Sequence, residues 1–147
     1  MIPTEEIKQL RESIRILERK LGILEESEMA CCGLTLAQCH ALVEIGRAER
    51  LSLVDLAGTI GLDTSTLSRT VNNLVAKNMV SRELDPDDRR YVTIQLTPEG
   101  NRYFQEIEAS MDAYFYKIYE NIAEGDRALV LKGLTLLLDA IQESNCC

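Results

Sequence analysis

The chain has 147 residues, of which 46% are hydrophobic and 27% charged, and its formal net charge is −8. This composition is typical of a globular domain with its own core and excludes an intrinsically disordered chain. No apolar run approaches the ~20 residues that span a bilayer, and the N-terminus lacks the apolar segment of a signal peptide, so we expect a cytoplasmic protein.

The first 60 residues are predicted to form three helices. Over residues 4–27 the apolar positions recur at spacings of three and four, which predicts a long helix with a narrow apolar seam. Residues 25–33 are expected to form a connector, and shorter helices are predicted over residues 35–46 and 52–60. The residues of the 35–46 helix that we expect to face inward are Leu36, Cys39, Leu42 and Val43.

A fourth helix is predicted over residues 64–78, and Asp63 or Thr64 can cap its start. One face is apolar, whereas the other carries short polar side chains and one arginine where a merely solvated helix would have Lys and Glu. Such donors and acceptors suit base edges and phosphates, although a polar surface helix without a partner is the alternative. The residues expected on this outer face are Ser65, Arg69, Asn72, Asn73 and Ala76, flanked by Thr66 and Ser68.

A hairpin is predicted directly after this helix, with strands over residues 79–84 and 91–96 joined by an acidic turn. In the second strand Val92, Ile94 and Leu96 are expected to face inward and Tyr91, Thr93 and Gln95 outward. A polar-faced helix followed by such a hairpin is typical of a winged helix-turn-helix, a module that binds DNA. Helices over 98–121 and 125–143 complete the chain.

The charge distribution is compatible with a DNA-binding module. Residues 103–147 carry 3 Lys or Arg and 8 Asp or Glu, whereas residues 51–102 carry 6 and 7. The negative charge is therefore concentrated away from the predicted winged module. A nearly neutral module predicts modest nonspecific affinity for DNA and dependence on fitted contacts.

The chain resembles the multiple antibiotic resistance regulator (MarR) family of bacterial transcription factors over nearly its whole length. The most specific element is the pattern D-x-R-x-x-x-[VI]-x-L-T-x-x-G. The residues that carry it are Asp88, Arg90, Ile94, Leu96, Thr97 and Gly100. The sequence LAGTIGLDTSTLSRTVNNLVAKNMVSR also resembles the helix-turn-helix and first wing strand of the family.

The resemblance implies one mainly α-helical domain over residues 1–147, with a winged helix-turn-helix lobe at 35–97 and a two-stranded β wing. Residues 1–33 and 98–147 would supply dimerisation helices, and the regular seam of the first helix and the wide apolar faces of the last two agree with this. We therefore expect a homodimer that binds double-stranded DNA at a pseudo-palindromic operator, a repressor in function, associated with the nucleoid when bound. A closed monomeric bundle is the alternative.

The resemblance also implies roles for particular residues. The residues that would enter the major groove or touch its phosphates are Ser65, Thr66, Ser68, Arg69 and Asn72. The fork of Arg69 suits a guanine. Arg89 and Arg90 lie at the wing, where Arg90 would contact the minor groove or its backbone and Asp88 would orient it. We expect Arg90→Ala to lower operator affinity without unfolding the protein.

Five cysteines are unusual in a cytoplasmic chain of this length, and structural disulfides are not expected there. Two pairs are adjacent and offer two thiolates to one soft ion. In the family, the region between the first two helices borders a cleft where effectors bind. The candidate sensing residues are Cys31, Cys32, Cys39, His40, Cys146 and Cys147.

The effector remains open at this point. No cofactor is expected to be required, but Zn(II), Cd(II), Cu(I) or trivalent arsenic fit thiolate ligands. Oxidation of the thiols, a small aromatic ligand in the same cleft, or no ligand at all are the alternatives. Cys39 lies on an apolar helix face, and a cysteine there is most often a simple core residue. An enzyme is not expected, because the chain has a single histidine, no glycine-rich phosphate loop and no C-x-x-C. A winged-helix module that binds only proteins is the alternative from another class.

Overall fold

The computed structural model describes residues 4–29 and 33–144 of the chain. The chain divides into two compact units, Met1–Glu108 and Ala109–Cys147, and helix α5 runs from the first into the second. The elements are, in order, α1 (Thr4–Met29), α2 (Leu36–Ala48), β1 (Leu51–Ser52), α3 (Leu53–Ile60), α4 (Thr64–Ala76), β2 (Val80–Leu84), β3 (Val92–Leu96), α5 (Pro98–Asn121) and α6 (Arg127–Ser144).

Side-chain caps define where α2 and α3 begin. The Thr35 hydroxyl accepts a hydrogen bond from the backbone N–H of Gln38 at 3.2 Å. The side-chain Oε1 of Gln38 accepts one from the backbone N–H of Thr35 at 3.3 Å, which completes a capping box. The Ser52 hydroxyl accepts from the Asp55 amide at 3.0 Å. Thr35 and Ser52, predicted as the first helical residues, are therefore the caps that precede the helices.

The sheet of the first unit has three antiparallel strands in the order β1-β3-β2. The predicted hairpin is present as β2 and β3, which pair from Val80 opposite Leu96 to Leu84 opposite Val92. Strand β1 was not predicted; it places Leu51 opposite Ile94 and Ser52 opposite Thr93. β3 is therefore the central strand, flanked by β1 and β2.

Helices α2, α3 and α4 pack together with β3 around the core of the first unit. This core is aliphatic, and the periodicity of the sequence predicts most of it because each helix contributes one apolar stripe. The fully buried large side chains are Leu42, Ile45, Leu56, Leu67, Leu74, Ile94, Val71 and Cys39.

Two expectations about side-chain exposure were wrong. Thr93 was expected to face outward, but it is buried, because strands pair with β3 on both edges and its hydroxyl donates to the Glu83 carbonyl at 3.3 Å. The Arg50 guanidinium donates to the same hydroxyl at 3.4 Å. Leu36 was expected to face inward, but it is exposed, because it lies in the first turn of α2, next to the cap.

The second unit contains the end of α5, a 3-10 turn over Glu124–Asp126, and α6. The last helix thus starts at Arg127, two residues later than predicted. Arg127 donates to the carbonyls of Ile122 at 3.1 Å and Glu120 at 3.4 Å, which satisfies acceptors at the end of α5. No residue of α6 is buried. Its exposed large apolar residues are Leu129, Val130, Leu131, Leu134, Leu136, Leu138 and Ile141.

The predicted fold class is confirmed: the described chain is mainly helical and carries a small antiparallel sheet in the arrangement of a winged helix. Within the described ranges, none of the helices combines the length and the apolar character needed to cross a membrane.

Candidate nucleic-acid interface

The start of α4 is fixed by the carboxylate of Asp63. Its Oδ1 atom accepts hydrogen bonds from the Thr66 amide at 2.6 Å and from the Ser65 hydroxyl at 2.9 Å. These hydrogen bonds, first that from the Thr66 backbone, hold the pKa of Asp63 below its ordinary value, and the charge of Arg69 acts in the same direction. A charged N-cap therefore orders the first turn of the helix.

The polar face of α4 projects away from the core. Leu67, Val71 and Leu74 are buried on one side of the helix, which directs the opposite side outward. Ser68 is half-buried at the boundary between the two faces. The predicted contact residues that are exposed on the outer face are Ser65, Thr66, Arg69 and Asn72.

At the wing, Asp88 and Arg90 form a two-point ion pair. The Arg90 Nε atom donates to Asp88 Oδ1 at 3.0 Å, and the Arg90 Nη2 atom donates to Asp88 Oδ2 at 2.7 Å. This pairing lowers the pKa of Asp88 and raises the pKa of Arg90 above its ordinary value. Arg90 is exposed, as is Arg89 beside it, so both guanidinium groups are accessible.

The other acidic residues of the wing tip belong to the turn. The Asp85 carboxylate accepts from the backbone amides of Asp87 at 2.8 Å and Asp88 at 3.4 Å. Asp85 therefore closes the turn in the manner of an Asx turn, as the turn chemistry of its sequence predicts. This arrangement supports the wing and brings Asp88 to Arg90.

Sequence reasoning missed one contact of this surface. Arg82, on β2, donates a hydrogen bond from its Nη1 atom to the side-chain carbonyl of Asn72 on α4. Both side chains are exposed. No sequence signal identifies this pair, because the two residues are ten positions apart and meet only when the wing packs beside α4.

The Leu-Thr-x-x-Gly part of the motif has a structural role. The Thr97 hydroxyl donates to the Asn78 carbonyl at 2.6 Å and accepts from the Gly100 amide at 3.0 Å. A Cβ atom on Gly100 would lie 1.8 Å from the carbonyl oxygen of Met79. The motif therefore fixes the start of α5 against the segment between α4 and β2.

The structure separates the two described members of the predicted sensing set. Cys39 is fully buried in the core, whereas His40 is exposed on the same helix. Cys31, Cys32, Cys146 and Cys147 lie outside the described residues. Among the side chains that the structure describes, those of residues 4–22 and 33–144, no three of His, Cys, Asp or Glu are grouped so that they could hold a metal ion.

Comparisons with known proteins agree with this geometry. A model described as the MarR family matches residues 33–90. The multiple antibiotic resistance protein MarR of Escherichia coli is 30% identical over 95 residues, which cover 65% of this chain and 66% of that protein. The chain belongs to the MarR family. The regulator YsmB of Bacillus subtilis, described as an uncharacterized HTH-type transcriptional regulator, is 25% identical over 92% of both chains.

Solved MarR-type structures share the fold. Streptococcus pneumoniae FabT in complex with DNA superposes with a TM-score of 0.86 at 21% identity, covering 95% of this chain and 99% of that one. A mutant of E. coli MarR complexed with operator DNA superposes with a TM-score of 0.79 at 24% sequence identity, covering 94% of this chain and 99% of that one. As a MarR-family member, this chain is a transcription regulator and not an enzyme.

Proposed function

We propose that this MarR-family regulator binds a pseudo-palindromic operator as a homodimer and represses transcription there. Helix α4 enters the major groove, and Arg89 and Arg90 of the wing contact the flanking minor groove or its backbone. The observation that carries the proposal is the outward polar face of α4, held in the same unit as the oriented guanidinium of Arg90.

The residue types favour DNA over a protein partner. Protein interfaces are enriched in aromatic and apolar anchors, whereas the outer face of α4 offers hydroxyls, the amides of Asn72 and Asn73, and one guanidinium. Arg69 presents the fork that matches the O6 and N7 acceptors of guanine, and Ser65 and Thr66 are placed at the helix N-terminus, where phosphates are favoured. FabT and MarR of the solved complexes bind DNA with the same fold.

The homodimer is supported by apolar surface in both units. In α1 the side chains of Ile7, Leu10 and Leu17 are exposed by 41–48%. In α6 most of the apolar stripe is exposed, with Leu138 at 65%. Exposed apolar stripes of this extent mark an interaction surface. A second copy of the chain would cover them and set two α4 helices about one DNA turn apart, roughly 34–36 Å.

Repression and its control by an effector complete the proposal. The B. subtilis relative MdtR, a transcriptional repressor, is 25% identical to this chain over 112 residues. We propose a soft metal or metalloid ion bound by the adjacent cysteine pairs, Cys31-Cys32 and Cys146-Cys147, as the effector. Thiol oxidation and a small aromatic ligand are the competing triggers.

One described contact supports coupling between this region and α4. The ammonium of Lys77, which ends α4, donates to the Gly33 carbonyl at 3.2 Å and to the Gln38 side chain at 3.0 Å. Gly33 directly follows Cys31-Cys32 in the sequence. An ion held by these thiols would act on the segment that Lys77 ties to α4. Binding of the ion would then lower the affinity for DNA, and binding of DNA would lower the affinity for the ion by the same factor.

The DNA-binding proposal is tested by selecting duplexes from a random library and measuring their affinity at several salt concentrations. We expect the logarithm of the affinity to fall with the logarithm of the salt concentration, with a slope of several.

Arg69→Ala and Arg90→Ala should each weaken binding by roughly tenfold or more. Arg102→Ala, which removes an exposed arginine paired with Glu99 and Glu106, is the matched control and should bind like wild type. Failure of the wild-type chain to capture any duplex would refute the proposal and favour a protein-binding module.

The effector proposal is tested by metal analysis and thiol titration of protein purified under reducing conditions. Because Cys39 is fully buried, no more than four thiols should react rapidly in the native state, and the fifth should react only on unfolding. Protection of further thiols by Zn(II), Cd(II), Cu(I) or arsenite, reversed by chelation and accompanied by altered operator affinity, would support the metal. Unaltered affinity with all four ions would exclude it.

A further inference from the structure

We infer that Arg82 is a positioning residue that fixes the side-chain amide of Asn72 for base recognition, so that a residue of the wing sets part of the sequence preference of α4. The inference rests on the proposed function, because it assigns a role within the same DNA-binding surface. It is carried by the hydrogen bond from Arg82 Nη1 to Asn72 Oδ1, which joins β2 to α4.

The sheet geometry explains why Arg82 reaches α4. Arg82 is paired directly with Ile94 on β3, so the two side chains leave the same face of the sheet. Ile94 is fully buried against the helices, and the longer Arg82 side chain extends beyond it to the solvent-exposed edge of α4. Of the residues that the structure describes, Asn72 is the polar partner of this guanidinium.

This contact determines the orientation of the Asn72 amide. A guanidinium only donates hydrogen bonds, so it can be paired only with the carbonyl oxygen of the amide. The Nδ2 group of Asn72 is then the free end of the side chain. Asn72 follows Arg69 by three residues, so both lie on the outer face of α4.

The orientation has a consequence for base preference. An unrestrained asparagine pairs with adenine through two hydrogen bonds, accepting from N6 and donating to N7. Arg82 occupies one of the two lone pairs of Oδ1 and holds the carbonyl toward β2, so the amide donor is the group left to face a base edge. A donor suits edges that present acceptors, and guanine presents two, N7 and O6. We therefore expect guanine to be preferred over adenine at the base pair that Asn72 contacts.

The test uses the full chain and an operator selected by the wild-type protein from random duplexes, with every base pair then substituted singly. Asn72→Ala identifies the position, because preference should be lost there alone. Arg82→Met keeps the aliphatic stem and removes the donors. It should raise the affinity for adenine relative to guanine at that same position by about three- to tenfold, the worth of one hydrogen bond.

Further variants distinguish positioning from other roles. Arg82→Lys restores one donor and should recover part of the guanine preference. The double variant Asn72→Ala/Arg82→Met should match Asn72→Ala at this position, because Arg82 acts through Asn72. Glu83→Gln, at an exposed neighbouring position of β2, is the control and should leave the preference unchanged. Thermal unfolding of each variant confirms that the fold is retained.

Two results would overturn the inference. If Arg82→Met weakens all duplexes equally and lowers the salt slope by about one, Arg82 is a phosphate contact. If the preference at the Asn72 position does not change, Arg82 does not orient the amide. Both results leave the proposed function intact, which fails only if the wild-type chain selects no duplex.

Discussion

At the residue scale, the wing tip places acidic groups beside the arginines that DNA phosphates would attract. Asp85, Asp87 and Asp88 lie within five positions of Arg89 and Arg90. The side chain of Asp85 serves the turn and that of Asp88 serves Arg90, so these two carboxylates have an internal use. We conclude that Asp88 orients the guanidinium of Arg90, although its negative charge also repels DNA phosphates.

The orienting role of Asp88 predicts different operator affinities for two neighbouring substitutions. Asp88→Asn removes a negative charge and also the two-point contact with Arg90, whereas Asp87→Asn removes only the charge. We expect Asp87→Asn to bind operator as well as wild type or better, and Asp88→Asn to bind more weakly than Asp87→Asn by about three- to tenfold. Titrations at one salt concentration measure this difference. Equal affinities of the two variants would show that Asp88 has no orienting role.

A second residue-scale prediction concerns Gly100. Its absent side chain is required because an added Cβ would overlap the Met79 carbonyl oxygen, and backbone cannot yield as a side chain does. Gly100→Ala should lower the free energy of unfolding by about 3 kcal/mol or more. Gly58→Ala, in α3 with open space around the new methyl group, should raise it by about 0.5–1 kcal/mol. Urea unfolding of both variants and the wild type at a fixed protein concentration measures these free energies. A mild effect of Gly100→Ala would contradict the close approach of the Gly100 backbone to that of Met79.

At the element scale, the start of α4 depends on the ionised Asp63. The folded state lowers the pKa of Asp63 below its ordinary value of 3.8. The unfolded state thus binds the proton more readily, so the stability from this cap is present above pH 3.8 and is lost as the pH falls through the lower folded value. The pKa of Asp88 is lowered as well, so its contribution is lost in the same direction. Neither group titrates between about pH 6 and pH 8.

Substitution of the cap separates its charge from its hydrogen bonds. Asp63→Asn keeps an accepting oxygen and should retain most of the stability of α4, whereas Asp63→Ala removes the acceptor and should lower the melting temperature by roughly 2–4 °C. Thermal unfolding followed by circular dichroism at neutral pH measures both. An Asp63→Ala variant that melts with the wild type would show that the cap does not stabilise the fold.

The elements that sequence reasoning located are those with a local pattern. The start of α5 at Pro98 and the start of α4 after Asp63 follow from capping and from apolar periodicity. Strand β1 was missed because two residues, Leu51 and Ser52, have no periodicity and pair only with a distant strand. The burial of Thr93 was missed for the same reason, since the second neighbour of β3 is nonlocal. The contact between Arg82 and Asn72 likewise requires the packed fold.

At the scale of the whole molecule, the chain leaves apolar surface that it does not cover itself. In α6 the side chains of Leu134 and Leu138 are exposed by 44% and 65%, and they lie one helical turn apart on one face. Each fully buried leucine is worth about 1.5–3 kcal/mol, so a dimer that covers several such residues on both copies gains enough to be stable at micromolar concentration.

The proposed dimer can be tested by placing charge on this stripe. Leu134→Glu/Leu138→Glu should convert the protein to a monomer, because burial of an unpaired carboxylate opposes association. Val54→Glu, at a side chain 60% exposed in the first unit, is the control and should remain dimeric. Sedimentation at micromolar concentration measures the mass, and circular dichroism checks the helix content. Operator affinity of the monomeric variant should fall to that of a single half-site, because each monomer presents only one α4 helix. A wild-type chain that sediments as a monomer, or a double variant that still dimerises, would show that this stripe does not form the interface.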